Sequence, residues 1–145
     1  MIPVLPYRKN VSFSRIISHV LYARNFKRTA RNAVKRGDLA KPDIIIAATP
    51  TLGAASAALS LARRFGAKFV IDVQDAWPET FYRLLPRGFK WLGAILFLPM
   101  HLAARRLYRE ADVVTGVSRR YQAITGRDDY YLAYHGISID KKEGC

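Results

Sequence analysis

The stretch KPDIIIAATPTLGAASAALSLARRFGAKFVIDV, residues 41–73, decides the fold. Residues 44–48 are a short apolar run after Pro42, the pattern of a parallel strand buried on both faces. Thr49, Pro50 and Thr51 then open an alanine-rich helix over 52–64. Pro50 suits its first turn, with Thr49 a possible cap, and Gly66 stops it. A second apolar run follows at 69–73. Strand, helix and strand within about 30 residues imply parallel strands joined by a right-handed crossover.

The pattern continues on both sides. Upstream, Phe13, Ile16, Ile17, Val20, Leu21 and Ala23 recur at helical spacing and predict one long helix over 12–36. Ser12 is its expected N-cap and Gly37 its expected stop, and Lys35 and Arg36 suit the dipole in the last turn. Residues 2–5 read as the end of a strand with nothing before it. Downstream, a helix is expected over 88–109, a strand over 112–117, a helix capped by Ser118 that runs to Thr125, and a last strand over 130–134. The fold class is therefore α/β, a Rossmann-like parallel sheet flanked by helices. No G-x-G-x-x-G turn occurs, so the usual dinucleotide fingerprint is missing.

Composition narrows the function. The 145 residues are one domain's worth, and a chain that is 50% hydrophobic can bury a core. The one cysteine, Cys145, excludes an intramolecular disulfide. The first residues lack the apolar run of a signal peptide, and the dense apolar stretch 91–100 is too short to span a membrane. Lys plus Arg number 24 against 11 Asp plus Glu, a net charge of +13. Such a chain favours polyanions: phosphorylated ligands, anionic lipid or nucleic acid. Arg24, Lys27, Arg28, Arg31 and Lys35 form a basic set on the long helix, which also fits a plain solvated face.

Ligands of open α/β sheets bind outside the carboxyl ends of the strands. Three such ends are legible. The first carries Thr49 and Thr51 before a helix N-terminus, a place for an anion or an ordinary helix start. The second is Gln74-Asp75-Ala76-Trp77-Pro78-Glu79. A carboxylate there can accept hydrogen bonds from a sugar hydroxyl, and an aromatic beside it can pack on an apolar sugar face. The same residues also read as a helix cap (Asp75), a core anchor (Trp77) and dipole compensation (Glu79). Asp72, inside the strand, needs a partner if it is buried. The third end, Val117-Ser118-Arg119-Arg120, could hold phosphate or merely start a helix. His19, His101 and His135 lack metal-ligand spacing, so no metal is expected.

Four stretches carry a family resemblance: YRKNVSFSRIISHVLYARN, KPDIIIAATPTLGAASAA, FVIDVQDAWPETF and ADVVTGVS. The third, with its Asp-x-x-Asp-x-Trp-Pro-Glu pattern, is the most specific. Together they make the chain resemble the N-terminal domain of bacterial family-four glycosyltransferases, retaining GT-B enzymes that build capsular, O-antigen and other exopolysaccharides. The resemblance implies an acceptor-side domain facing a second domain that binds a nucleotide-sugar donor and supplies paired glutamates. On it, Asp75, Gln74, Trp77, Glu79, Thr49 and Thr51 are acceptor-side candidates. Arg119, Arg120, Arg105 and Arg106 are candidates for phosphate or lipid headgroups. The expected acceptor is a polyprenyl-diphosphate-linked sugar or a glycan, and the expected location is cytoplasmic, peripheral on the inner face of the cell membrane. The donor is a substrate, and no cofactor is expected.

The family's Gly-rich first βα unit and its donor domain have no counterpart in residues 1–145, with 134–140 resembling the start of the crossing into the latter. The expectation is a domain truncated at both ends and inactive alone. The alternative from charge is a non-catalytic basic module for nucleic acid or anionic membrane.

Overall fold

The computed structural model describes residues 13–75, 93 and 95–133. Helix α1 (Phe13–Arg36) leads into strand β1 (Ile44–Ala48), helix α2 (Leu52–Phe65) and strand β2 (Lys68–Val73). Helix α3 (Leu98–Glu110), strand β3 (Val113–Gly116), helix α4 (Arg119–Thr125) and strand β4 (Tyr130–Leu132) follow. The four strands form one parallel sheet in the order β1-β2-β3-β4, with Ile46 opposite Val70, Val70 opposite Val113, and Val114 opposite Tyr130. The expected α/β architecture is present, and the elements match their predicted bounds within one or two residues except at α3.

Local chemistry explains the ends. Gly37, Gly66 and Gly126 take positive φ of 80°, 66° and 64° after α1, α2 and α4, a conformation that costs a Cβ-bearing residue energy. The Ser118 hydroxyl accepts from the Arg120 N–H at 3.2 Å, the cap that the sequence proposed. Pro99 lies in the first turn of α3, where its missing N–H costs nothing. Of the expected helix over 88–109, residues 88–92 and 94 lie outside the described residues, Gly93, Ile95 and Leu96 are helical, and α3 starts anew at Leu98 after a turn at Phe97. The start of α2 corrects the sequence reading. Its N-cap is Thr51, so Pro50 precedes the helix and Thr49 is no cap at all.

The core lies on one face of the sheet. Phe69, Ile71 and Val73 of β2 and Val114 of β3 are essentially inaccessible, packed with Ala55, Leu59 and Ala62 of α2 and Ala104, Leu107 and Tyr108 of α3. The intervening residues face the other way. Ile44 and Ile46 are 58% and 70% exposed, and Tyr131 60%. The expectation of a strand buried on both faces fails at β1, and the strand order supplies the reason. Each crossover steps to the next strand in the same direction, and right-handed crossovers that never reverse place every helix on one side. Among the described residues nothing reverses the order, so β1 buries one face alone.

Helix α1 packs on α2 rather than on the sheet, with Ala23 beside Gly53. It buries Ser18 and Ala33 and lays Phe26 against the core, while Val20, predicted on the apolar stripe, is 61% exposed. The side chains of 13–17 and the N-cap at Ser12 lie outside the described residues.

Candidate functional site

The carboxyl ends of β1 and β2 meet in a hydrogen-bonded knot. Thr49, 1% exposed, extends β1 by one ladder bond, its N–H donating to the Asp72 carbonyl at 2.9 Å. Its hydroxyl accepts from the Gln74 N–H and donates to the Asp75 carbonyl, both at 3.2 Å. One buried hydroxyl thus fixes the backbone of both residues where β2 ends. Leaving such partners unmet costs about 1–3 kcal/mol. The Thr51 hydroxyl donates back to the Ala48 carbonyl at 3.4 Å. Four of the acceptor-side candidates, Thr49, Thr51, Gln74 and Asp75, are therefore neighbours, 26 residues apart in sequence for Thr49 and Asp75. Trp77 and Glu79 lie outside the described residues.

Asp72 finds its partners on the open face of the sheet. It stands opposite Thr115 in the β2–β3 register, and the Thr115 hydroxyl donates to Oδ1 at 2.8 Å. The Gln74 carboxamide, two residues on and on the same face, donates from Nε2 to Oδ2 at 2.8 Å. A carboxylate in an otherwise apolar strand is thereby satisfied at a half-buried site. Sequence reasoning flagged Asp72 and missed Thr115. The signal was a lone hydroxyl in DVVTGV, legible only once β2 and β3 are known to be neighbours.

The other face of the same strand ends is closed by Tyr130. Its hydroxyl donates to the Ser118 carbonyl at 2.9 Å and covers Gly116, where an added Cβ would collide with the phenolic oxygen and fall 2.7 Å from the Val73 carbonyl. Burial holds the Tyr130 phenol above its ordinary value, and the nearby Asp72 carboxylate adds to this.

The basic candidates disperse. Arg119 and Arg120 sit exposed at the start of α4. Arg105 is exposed on α3. Arg106 pairs with Glu110 at 2.9 Å, and Glu110 also meets Arg63 of α2, so this group joins two helices. Arg127, not singled out in the sequence, donates to the Tyr108 and Ala111 carbonyls at 3.1 Å and forks onto Asp129. It closes the C-terminal end of α3. The basic set of α1, Arg24, Lys27, Arg28, Arg31 and Lys35, lies along the solvent side of that helix. An open cleft of about 440 Å³ lies between Arg31, Lys35 and Arg64, at the C-terminal ends of α1 and α2. It is remote from the strand carboxyl ends and takes no part in the knot. Among the described residues no group of three or more His, Cys, Asp or Glu could hold a metal ion.

At the strand ends the exposed Gln74 carboxamide and the half-buried Asp75 carboxylate are the groups within reach of a polar ligand. Over residues 3–129 the chain matches the family described as glycosyl transferase 4-like domain. No curated protein and no solved structure matches it.

Proposed function

The chain belongs to the glycosyl transferase 4-like family, an enzyme family of sugar transfer, and on that footing we propose that it forms the acceptor side of the reaction. Its strand ends receive the hydroxyl-bearing acceptor while a nucleotide sugar supplies the donor. The observation that carries this reading is the knot of Thr49, Gln74 and Asp75. It fixes the backbone of Gln74 and Asp75 at the carboxyl ends of adjacent parallel strands, the general ligand position of open α/β sheets. Asp75 accepts from the acceptor hydroxyl and orients it, and Thr49 holds the segment that carries Asp75. Trp77, two residues on, supplies an aromatic surface for an apolar sugar face.

A polyprenyl-diphosphate-linked sugar is the acceptor we favour, in polysaccharide biosynthesis at the inner face of a bacterial cell membrane. No helix among the described residues is long and apolar enough to cross a membrane. Ile95 and Leu96 just before α3, and Leu98 and Leu102 in its first turns, nonetheless expose apolar side chains, followed by Arg105 and Arg109. Apolar contact flanked by arginines suits an interfacial helix on anionic lipid.

Acceptor binding is the test. The full chain is titrated with a short-chain polyprenyl-diphosphate sugar in vesicles of phosphatidylcholine with and without phosphatidylglycerol. Asp75→Asn is expected to weaken sugar-dependent binding about tenfold, one charge-assisted hydrogen bond's worth. Phosphatidylglycerol is expected to tighten binding of both proteins alike. Equal binding of the sugar-linked and sugar-free lipid by wild type and variant overturns the acceptor reading. Tighter binding to duplex DNA than to phosphatidylglycerol vesicles favours the nucleic-acid alternative.

A further inference from the structure

Asp72 is not a ligand candidate in its own right, for its carboxylate is occupied by Thr115 and Gln74. Its position nevertheless determines what Gln74 can recognise. A carboxamide has one donating and one accepting end, and an ionised carboxylate only accepts. The end of Gln74 that faces Asp72 must be the NH2 end. The carbonyl Oε1 is then the end left for solvent, on an exposed residue next to Asp75. Without Asp72 the amide would turn freely, and it would greet donors and acceptors alike.

We propose that Asp72 is a positioning residue that locks Gln74 with its carbonyl outward, so that the site selects ligand groups that donate a hydrogen bond. A sugar hydroxyl can donate, whereas a fluorine or an ether oxygen at the same position cannot. The inference deepens the acceptor-side reading and rests on it. Thr115 belongs to the same device. Its hydroxyl holds Oδ1 and leaves Oδ2 to Gln74, so the carboxylate cannot swing away.

The device depends on a group that can only accept, and substitution can release it. In Asp72→Asn the introduced carboxamide can turn either end to Thr115, because a hydroxyl both donates and accepts. Either end of that carboxamide can then face Gln74, so the carboxamide of Gln74 is no longer held with its carbonyl outward. Charge and polarity change while shape is kept.

The experiment uses the full chain, wild type, Asp72→Asn and Asp72→Ala, each checked for fold by circular dichroism. The probes are the methyl glycosides of glucose, galactose and N-acetylglucosamine and their monodeoxyfluoro analogues, with binding read by ligand-observed NMR. Wild type is expected to prefer one hydroxyl over its fluoro counterpart by about tenfold. Asp72→Asn is expected to reduce that preference, and Asp72→Ala to abolish it. Sugar binding in which Asp72→Ala weakens parent and fluoro analogues equally overturns the positioning role and leaves the acceptor reading standing. If no glycoside binds to wild type while it remains folded, the acceptor reading fails and this inference with it.

Discussion

The two faces of the sheet are built from the same four strands and have opposite characters. On the helix-covered face Phe69, Ile71, Val73 and Val114 are sealed, and a glycine makes room for Tyr130. On the open face the same strands show Ile44, Ile46 and Tyr131 to solvent, and at their carboxyl ends they carry Asp72, Thr115 and Gln74. A carboxylate is tolerable there because water and partners both reach it. On the covered face it would cost several kcal/mol. The sealed apolar side chains thus lie on one face, and the paired carboxylate, hydroxyl and carboxamide of Asp72, Thr115 and Gln74 on the other.

Substitutions test how sharp this division is. The largest effect is expected for Ile71→Ala, which removes a fully buried side chain from between α2 and α3 and should cost roughly 2–5 kcal/mol in chemical denaturation. Gly116→Ala comes next, at about 1–3 kcal/mol, because the added Cβ meets both the Tyr130 hydroxyl and the Val73 backbone. Adding Tyr130→Phe should restore part of that loss and no more, since the backbone contact persists. On the open face, Ile46→Thr should change stability by less than about 0.5 kcal/mol, despite being an isoleucine in a strand. A loss above about 2 kcal/mol at Ile46 would mean that this face is covered in solution and would break the comparison.

The smallest effect concerns the far end of β2, where the Lys68 ammonium meets Asp112 at 2.8 Å and Asp112 also accepts from the Phe69 N–H at 2.9 Å. The Lys68 partner first, and the backbone bond second, hold the Asp112 carboxyl below its ordinary 3.8. A lowered carboxyl contributes stability that is complete above the ordinary value and is lost as pH falls through the lowered one. Wild type should therefore lose stability relative to Asp112→Asn as pH falls below the ordinary 3.8, followed by thermal melting. Parallel curves for the two proteins over that range would show that the pair contributes nothing. The lysine end has the opposite sign. Asp112 raises the Lys68 value, so that contribution is full below the ordinary 10.5 and fades as pH rises past it.

What was written in the sequence is what local chemistry controls. The run of three isoleucines and two alanines after Pro42, the alanine-rich helix and the glycine behind it gave β1, α2 and the turn between α2 and β2 nearly to the residue. Ser118 declared itself as a cap because capping is a matter of two or three residues. The position of Gln74 and Asp75 at a strand end was equally local. Tertiary structure decided everything that depends on a neighbour across the sheet. An all-apolar strand cannot announce that one face is bare, since that follows from crossovers stepping in one direction. Thr49 reads as a helix cap until β2 lies beside it and supplies Gln74 and Asp75. Asp72 reads as a misfit until β3 brings Thr115 from 43 residues away. Periodicity and propensity act over a few residues, whereas hydrogen-bond partners are set by strand order, and strand order is a property of the whole chain.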